Sequence, residues 1–261
     1  MKKIFLPLLM IILIASSCGI NEDVETKPRK YVVGLDDEYA PMGFRDDKGE
    51  IVGCDVDLAK EAARRMNVEF EFRPIIWDKK EAELNSGRID IIWNGLDITP
   101  ERQAYILYSK PYMDNRQILL VKKSRGLKIH SLQDLKGKVV ATQAGSNSEN
   151  YVERDDAIRN SLKNFVTYPT FGRAFKALAD ERIDVLIVDE IAGRYEIAKH
   201  DELELIEIRI GDATKLGVGF RLNDTELRDE VQKAFDEMIA DGTAGKISEK
   251  WFQADLVKTG K

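Results

Sequence analysis

Strand and helix signals alternate along almost the whole sequence, which predicts an α/β fold with mostly parallel sheets. Length is the second observation: of 261 residues, about 240 remain once an N-terminal export segment is set aside, enough for one large domain or two lobes with a sizeable core. Third, no internal repeat or low-complexity tract interrupts that alternation.

The elements follow in order. Residues 31–35 (Tyr-Val-Val-Gly-Leu) read as the first strand, and Asp55 can cap a helix that carries Ala59, Ala62, Ala63 and Met66 on one face. Residues 68–72 are a second strand. Asp78 and Glu81 have capping-box spacing and open a helix ending near Gly87. The apolar run 89–93 is a buried strand, and 117–121 is another. Residues 138–142 form a strand that leads through Gln143-Ala144-Gly145-Ser146-Asn147-Ser148 into a helix from about Glu149. Thr170 can cap a helix bearing Ala174, Ala177 and Leu178. Residues 184–188 form a strand ending at Asp189-Glu190, and 216–220 form a late strand. Residues 225–240 make a long amphipathic helix with Leu227, Val231, Ala234, Phe235 and Met238 inward and Gly242 at its C-terminal cap; residues 247–252 make a last short helix.

The N-terminus combines Lys2 and Lys3, an apolar run over residues 4–14, and Ala15-Ser16-Ser17-Cys18-Gly19. Charge, apolar run and small residues in that order mark an export signal over residues 1–17, and the run is shorter than the roughly 20 residues a membrane span needs. Cys18 after small residues resembles a lipobox, whose cysteine is diacylated and begins the mature chain; Ala15 stands where leucine is commoner. Residues 18–29, polar and unpatterned, read as a tether. Without residues 1–17 the formal charge moves from −6 to −8, so electrostatics give no case for nucleic acid. Cys54 is expected to be a small buried hydrophobe. His130 and His200 lack metal-ligand spacing, which argues against a zinc site. Neither a phosphate-cradling glycine loop nor Gly-x-Ser-x-Gly is present, and no cofactor is expected.

The most informative stretch is Trp93-Asn94-Gly95-Leu96-Asp97-Ile98-Thr99-Pro100-Glu101-Arg102. A strand runs into a polar turn, then into a helix for which Thr99 is a fitting N-cap and Pro100 a fitting first residue. Arg102 falls in the first turn, where a cation opposes the helix dipole; a bound anion would supply the reason. Asp97, five residues earlier, offers the opposite charge. An arginine and an aspartate at the end of a strand can grip the carboxylate and ammonium of an amino acid. The competing reading is an exposed arginine in a local ion pair.

Several segments, in this order and separation, resemble bacterial extracellular solute-binding proteins of family 3, the polar amino-acid receptors of ABC importers. They are Gly34-Leu35-Asp36-Asp37-Glu38-Tyr39-Ala40-Pro41-Met42, Gly53-Cys54-Asp55-Val56-Asp57-Leu58-Ala59, Leu84-Asn85-Ser86-Gly87-Arg88-Ile89-Asp90, Leu96 to Arg102, Tyr108-Ser109-Lys110-Pro111-Tyr112, Leu135-Lys136-Gly137-Lys138-Val139 and Asp189-Glu190. The resemblance spans about Tyr31 to Ala254. It implies a fold of the type II periplasmic-binding-protein kind: two α/β lobes joined by two hinge strands, with a ligand cleft between them. Lobe one would comprise residues 30–115 and 214–261, and lobe two residues 116–213, with hinges near 115–118 and 211–215.

The resemblance also implies roles. Arg102 matches the arginine that holds the ligand carboxylate, a bidentate task that lysine cannot copy. Asn147, beside Ser146 near a helix N-terminus, matches the position whose backbone N–H meets the same carboxylate. Asp189 matches the acid that takes the ammonium, although it could instead cap the following helix. Asn94, Gly95, Leu96 and Asp97 match the turn that completes the ammonium site; Asp97 departs from the usual serine or threonine, and two aspartates at one ammonium would raise the pKa of one of them or address a second cationic group. Tyr39 and Trp77 match positions that sandwich the ligand side chain, with ordinary core as the alternative for Trp77. Asp36 matches a side-chain-selecting acid or belongs to a solvated acidic loop, and Gln143 is placed at the pocket from lobe two. Glutamine, arginine, lysine, histidine and cystine all remain open as ligands. The implied partners are a permease and an ATPase, with membrane attachment through Cys18 on the extracytoplasmic face and a monomeric state. Two other classes compete. An enzyme of the cyclohexadienyl dehydratase kind would need an acid such as Asp97 or Glu190 in the cleft; a sensor module would carry fused membrane-spanning or kinase segments.

Overall fold

The structure, a computed structural model, describes residues 28–257. The export segment, Cys18 and most of the tether lie outside the described residues. In chain order the elements are β1 (Lys30–Leu35), β2 (Glu38–Tyr39), β3 (Gly43–Arg45), β4 (Ile51–Val52), α1 (Cys54–Met66), β5 (Glu69–Pro74), α2 (Lys80–Asn85), β6 (Ile91–Ile92), α3 (Pro100–Gln103), β7 (Leu107–Tyr108), β8 (Met113–Lys122), β9 (Val139–Gln143), α4 (Asn147–Arg154), α5 (Asp156–Ser161), β10 (Asn164–Tyr168), α6 (Phe171–Ala179), β11 (Val185–Asp189), α7 (Glu190–Ile197), β12 (Leu203–Leu216), β13 (Gly219–Phe220), α8 (Thr225–Ala240) and α9 (Thr243–Phe252).

Two five-stranded sheets form the lobes. The first has the order β5-β1-β6-β13-β7 and the second β10-β9-β11-β8-β12. Each holds a parallel trio, β5-β1-β6 and β10-β9-β11, flanked by antiparallel strands. Four of the five strands in each sheet run in one direction, and β13 or β8 runs against them; β8 and β12 carry the chain between lobes in opposite directions, so they pair antiparallel, and Asn115 stands opposite Thr214 where they cross. Their ladder is irregular between Ile206 and Ile210 and between Ile210 and Thr214. Beyond the crossing, Leu216 bridges Asp97 and the Tyr112 N–H donates to its carbonyl, tying the strands to the first lobe.

The helices bury the faces their sequences prescribe. Leu227, Val231, Ala234, Phe235 and Met238 of α8 are buried, and the Phe235 ring meets Trp93 and Tyr112 edge-on at 5.9 and 5.7 Å. Gly242 takes a left-handed φ of 79° just beyond α8, as a helix stop requires. Thr170 caps α6 through the Arg173 N–H, over buried Ala174, Ala177 and Leu178. Cys54 is buried and free, as a small core residue.

Two expected caps are replaced. α1 begins at Cys54 after Gly53, and Asp55 caps nothing; its side chain is fully buried and turns inward. Asp78 does not open a helix either. A 3-10 turn over Trp77–Lys79 precedes α2, and the Asp78 carboxylate pairs with Lys79 at 2.8 Å. The strand expected over 89–93 contracts to β6, and that over 216–220 divides between the end of β12 and β13. Cys54, α6 and α8 sit as expected; of the displaced caps, Asp55 turns into the core and Asp78 stays at the surface on Lys79.

Candidate functional site

Eleven residues line one small enclosed pocket between the lobes. Tyr39, Trp77, Asn94, Gly95, Asp97 and Arg102 come from the first, and Gln143, Ser146, Asn147, Phe171 and Asp189 from the second. All but Phe171 are residues that the sequence singled out. Of the remaining two, Leu96 is fully buried beneath the sheet, its carbonyl accepting the Gly217 N–H at 3.0 Å. Asp36 stands behind the pocket wall, accepting from Gln143 Nε2 at 2.6 Å and from the Glu38 N–H at 2.9 Å. It is only 2% exposed, which corrects the solvated-loop reading, and burial raises its carboxyl to about 7.

Arg102 is set by the start of α3. Thr99 Oγ1 accepts the Arg102 N–H at 3.3 Å, and Pro100 occupies the first turn. That short helix delivers a buried guanidinium to the cleft, which corrects the alternative of an exposed arginine. Nη1 donates to the Asp97 carbonyl at 3.2 Å, and Nη2 crosses the cleft to the Gly145 carbonyl at 2.9 Å. Tyr108 Oη donates to the same Asp97 carbonyl at 3.1 Å. The alternative of a local ion pair with Asp97 is thus set aside: Arg102 holds the backbone of Asp97, and the Asp97 carboxylate turns elsewhere.

It turns to the crossing strands. Asp97 Oδ1 accepts from Asn115 Nδ2 at 2.9 Å and from Thr214 Oγ1, one donor from β8 and one from β12. The Asn115 amide also donates to Asp189 Oδ1, so a single –NH2 group bridges two carboxylates of opposite lobes. Asp189 further accepts from Tyr39 Oη and Gln117 Nε2. Although Asp189 occupies the N-cap position of α7, its side chain makes no cap bond. The capping alternative is therefore set aside. Burial, then the neighbouring Asp189 charge, raises the pKa of Asp97, and Arg102 opposes that rise.

The aromatic walls differ in partnership from expectation. Tyr39 stacks on Phe171, with ring centres 5.4 Å apart and planes 30° apart, while the Lys80 ammonium lies 5.0 Å from the centre of the Trp77 ring. Trp77 also packs into a buried cluster with Leu84, Ile89 and Leu96, so its wall and core roles coexist. Gly95 is required where it stands: its φ is +59°, and a Cβ there would lie 2.6 Å from the Tyr39 ring. At the far wall, Ser146 Oγ accepts the Glu149 N–H at 3.2 Å and starts α4, leaving Asn147 at the first helical position.

Several participants escaped the sequence reading: Phe171, Lys80, Asn115, Gln117, Thr214 and Asp55. For Asn115 and Gln117 a signal existed. The two-residue period of a strand puts them on one face with Met113, and all three are buried. Asp55 braces the turn from behind. Its Oδ2 accepts the Gly95 N–H at 2.7 Å, and Tyr112 Oη donates to it at 2.9 Å.

Chemically, the pocket offers a guanidinium and a helix N-terminus to an anion, a pair of carboxylates to a cation, and aromatic faces to what lies between. Among the described residues no cluster of His, Cys, Asp and Glu could hold a metal ion.

The bracing of Gly95 has a pH signature. Burial raises the Asp55 carboxyl from 3.8 to about 7, so the native state holds its proton more tightly than the unfolded chain. The stability gained from that proton is complete below pH 3.8 and disappears as pH rises to about 7. In chemical unfolding across this window, Asp55→Asn should show a pH dependence shallower by up to about 1.4 kcal/mol per pH unit. A slope equal to that of the unmodified protein would contradict the assignment.

Comparison with known proteins places the family and the fold. The profile of bacterial extracellular solute-binding proteins, family 3, matches residues 31–254. The L-cystine-binding protein TcyJ of Escherichia coli K12 is 33% identical over 227 residues, covering 87% of this chain and 84% of the relative. The crystal structure of an ABC uptake transporter substrate-binding protein from Streptococcus pneumoniae with bound histidine superposes with a TM-score of 0.82 at 33% identity, covering 88% of this chain and 94% of that one. An ancestral amino-acid-binding protein, AncCDT-1, described as a precursor of cyclohexadienyl dehydratase, reaches a TM-score of 0.78 at 34% identity, covering 85% of this chain and 95% of that one. A profile match over nearly the whole described chain, together with two lobes enclosing a charged pocket, establishes that this chain belongs to family 3 of the bacterial extracellular solute-binding proteins.

Proposed function

We propose that this protein captures a polar L-amino acid between its lobes and delivers it to the permease of an ABC importer. The observation that carries this reading is the opposition of Arg102 to the Asp97–Asp189 pair within one enclosed pocket. In this reading Arg102 and the N-terminus of α4 at Asn147 take the carboxylate, while Asp189 and the Asn94-Gly95-Asp97 turn take the ammonium. Tyr39, Trp77 and Phe171 flank the side chain, with Gln143 and Asp36 at its end. Residues 30–115 and 214–261 would move against residues 116–213 about Asn115 and Thr214. A ligand touching both lobes favours closure only through its better fit to the closed form; a shift from mostly open to mostly closed needs about 10⁴-fold discrimination, or about 5.5 kcal/mol.

A binding role fits the site better than turnover. Asp97 Oδ1 accepts from Asn115 and Thr214, and Glu190 is engaged by Arg116 and Arg194 outside the pocket. Asp97 thus sits among donors that hold it as a charge for a ligand ammonium, and Glu190 lies outside the pocket. Cys18 is proposed as a diacylated anchor holding a monomer at the extracytoplasmic face. Among the described residues no helix is long and apolar enough to cross a membrane.

Two experiments test this reading. Thermal-shift screening with histidine, cystine, glutamine, arginine and lysine should single out at least one stabilising amino acid, since a ligand at 100 times its Kd adds about 2.7 kcal/mol. Calorimetry with that amino acid should then find no binding by Arg102→Ala; unchanged affinity would refute the clamp. For the anchor, full-length protein produced in a bacterial host should fractionate with membranes and Cys18→Ala should not. Equal partitioning of the two would remove the lipid from the account.

A further inference from the structure

Lys80 is only 2% exposed, although it is the first residue of α2, where the helix dipole opposes a cation. Burial of an ammonium is costly unless it is paired. Burial, with the Arg102 guanidinium beside it, holds Lys80 well below its usual range, at about 8. Three of its partners belong to its own segment: the Trp77 carbonyl at 3.4 Å, Glu81 Oε1 at 3.2 Å and the Trp77 ring. The fourth does not. Lys80 Nζ donates at 2.9 Å to the Gly145 carbonyl of the opposite lobe, the same oxygen that receives Arg102 Nη2.

The seam around that oxygen is closely built. Gly145 has a φ of +72°, and a Cβ there would come within 2.6 Å of the Asp78 Cα, so the lobes meet backbone to backbone. The Gly145 N–H is fixed in turn by Glu149 Oε2 at 2.6 Å. Two cations therefore converge on one carbonyl from across the cleft. Recognising a carboxylate bidentately occupies two parallel N–H groups of a guanidinium. An Arg102 drawn toward a ligand carboxylate can leave Gly145, and Lys80 is already in position to hold that carbonyl.

We propose that Lys80 is a positioning residue that clasps the Gly145 carbonyl in the closed state, releasing the Arg102 fork for the ligand carboxylate and setting how long the closed complex persists. This rests on the amino-acid-binding reading above. The clasp forms only when the lobes meet, so it governs ligand escape more than ligand arrival.

Rapid-mixing kinetics with L-histidine and L-cystine as probes test it on the unmodified protein, Lys80→Met, Lys80→Gln and Lys80→Arg. Lys80→Met keeps the stem and removes the ammonium. Its dissociation rate should rise about tenfold with the association rate within about twofold, the split expected when a contact exists only in the complex. Lys80→Arg, which keeps a charged donor, should recover most of the loss. A Lys80→Met dissociation rate within about twofold of the unmodified protein, or a loss confined to association, would overturn the clasp. Should Lys80→Met fail to fold, Lys80→Gln decides: faster dissociation supports the clasp and an unchanged rate overturns it. If the unmodified protein binds neither probe, the amino-acid-binding reading fails for these ligands and the clasp falls with it; a bound probe with unchanged kinetics sinks the clasp alone.

Discussion

Much of this structure depends on a buried guanidinium held at the start of a four-residue helix. Thr99 and Pro100 make α3 begin where it does, and that start aims Arg102 across the cleft at Gly145. A cation in the first turn opposes the helix dipole and must be desolvated to reach its place. The surrounding groups offset this: the Asp97 carbonyl, the Gly145 carbonyl and the more distant Glu81 carboxylate at 4.0 Å. None of them is a close carboxylate, so the guanidinium keeps much of its capacity for an anion.

The opposite pole is organised by the strands that connect the lobes. Asn115 on β8 and Thr214 on β12 face each other in the ladder, and both donate to the Asp97 carboxylate. The Asn115 amide simultaneously reaches Asp189, a residue at the end of β11. A displacement of one lobe against the other must disturb this bridge. The polar network at the cleft floor and the geometry of the crossing strands are thus mechanically joined, and a cation placed between Asp97 and Asp189 acts on both.

What was legible in the sequence was whatever local rules specify. The Thr99-Pro100 cap, the apolar stripe of α8, the Thr170 cap of α6 and the strand ends at Gln143 and Asp189 follow from spacing and capping chemistry alone. The pocket walls became legible through ordered resemblance, and ten of the residues so named line one pocket. What stayed hidden was decided by tertiary partners. Asp55 looked like a cap because nothing local shows that Gly95 and Tyr112, 40 and 57 positions away, need its oxygens. A local ion pair stood as the alternative for Arg102 and Asp97 because Thr214, which engages the Asp97 carboxylate, lies 117 positions away. Nothing local singles out Lys80, because its distinguishing contact, Gly145, belongs to the other lobe. The short sheet of β2, β3 and β4 escaped notice because strands of two or three residues carry almost no periodicity.

The central claim is that one zwitterion is held at both poles by opposite lobes. A crystal structure with a bound amino acid from the thermal-shift screen tests it most directly. The account predicts the α-carboxylate on Arg102 and the N-terminus of α4, and the α-ammonium between Asp97 and Asp189. A bound amino acid whose carboxylate lies away from Arg102, or that touches only one lobe, would contradict it.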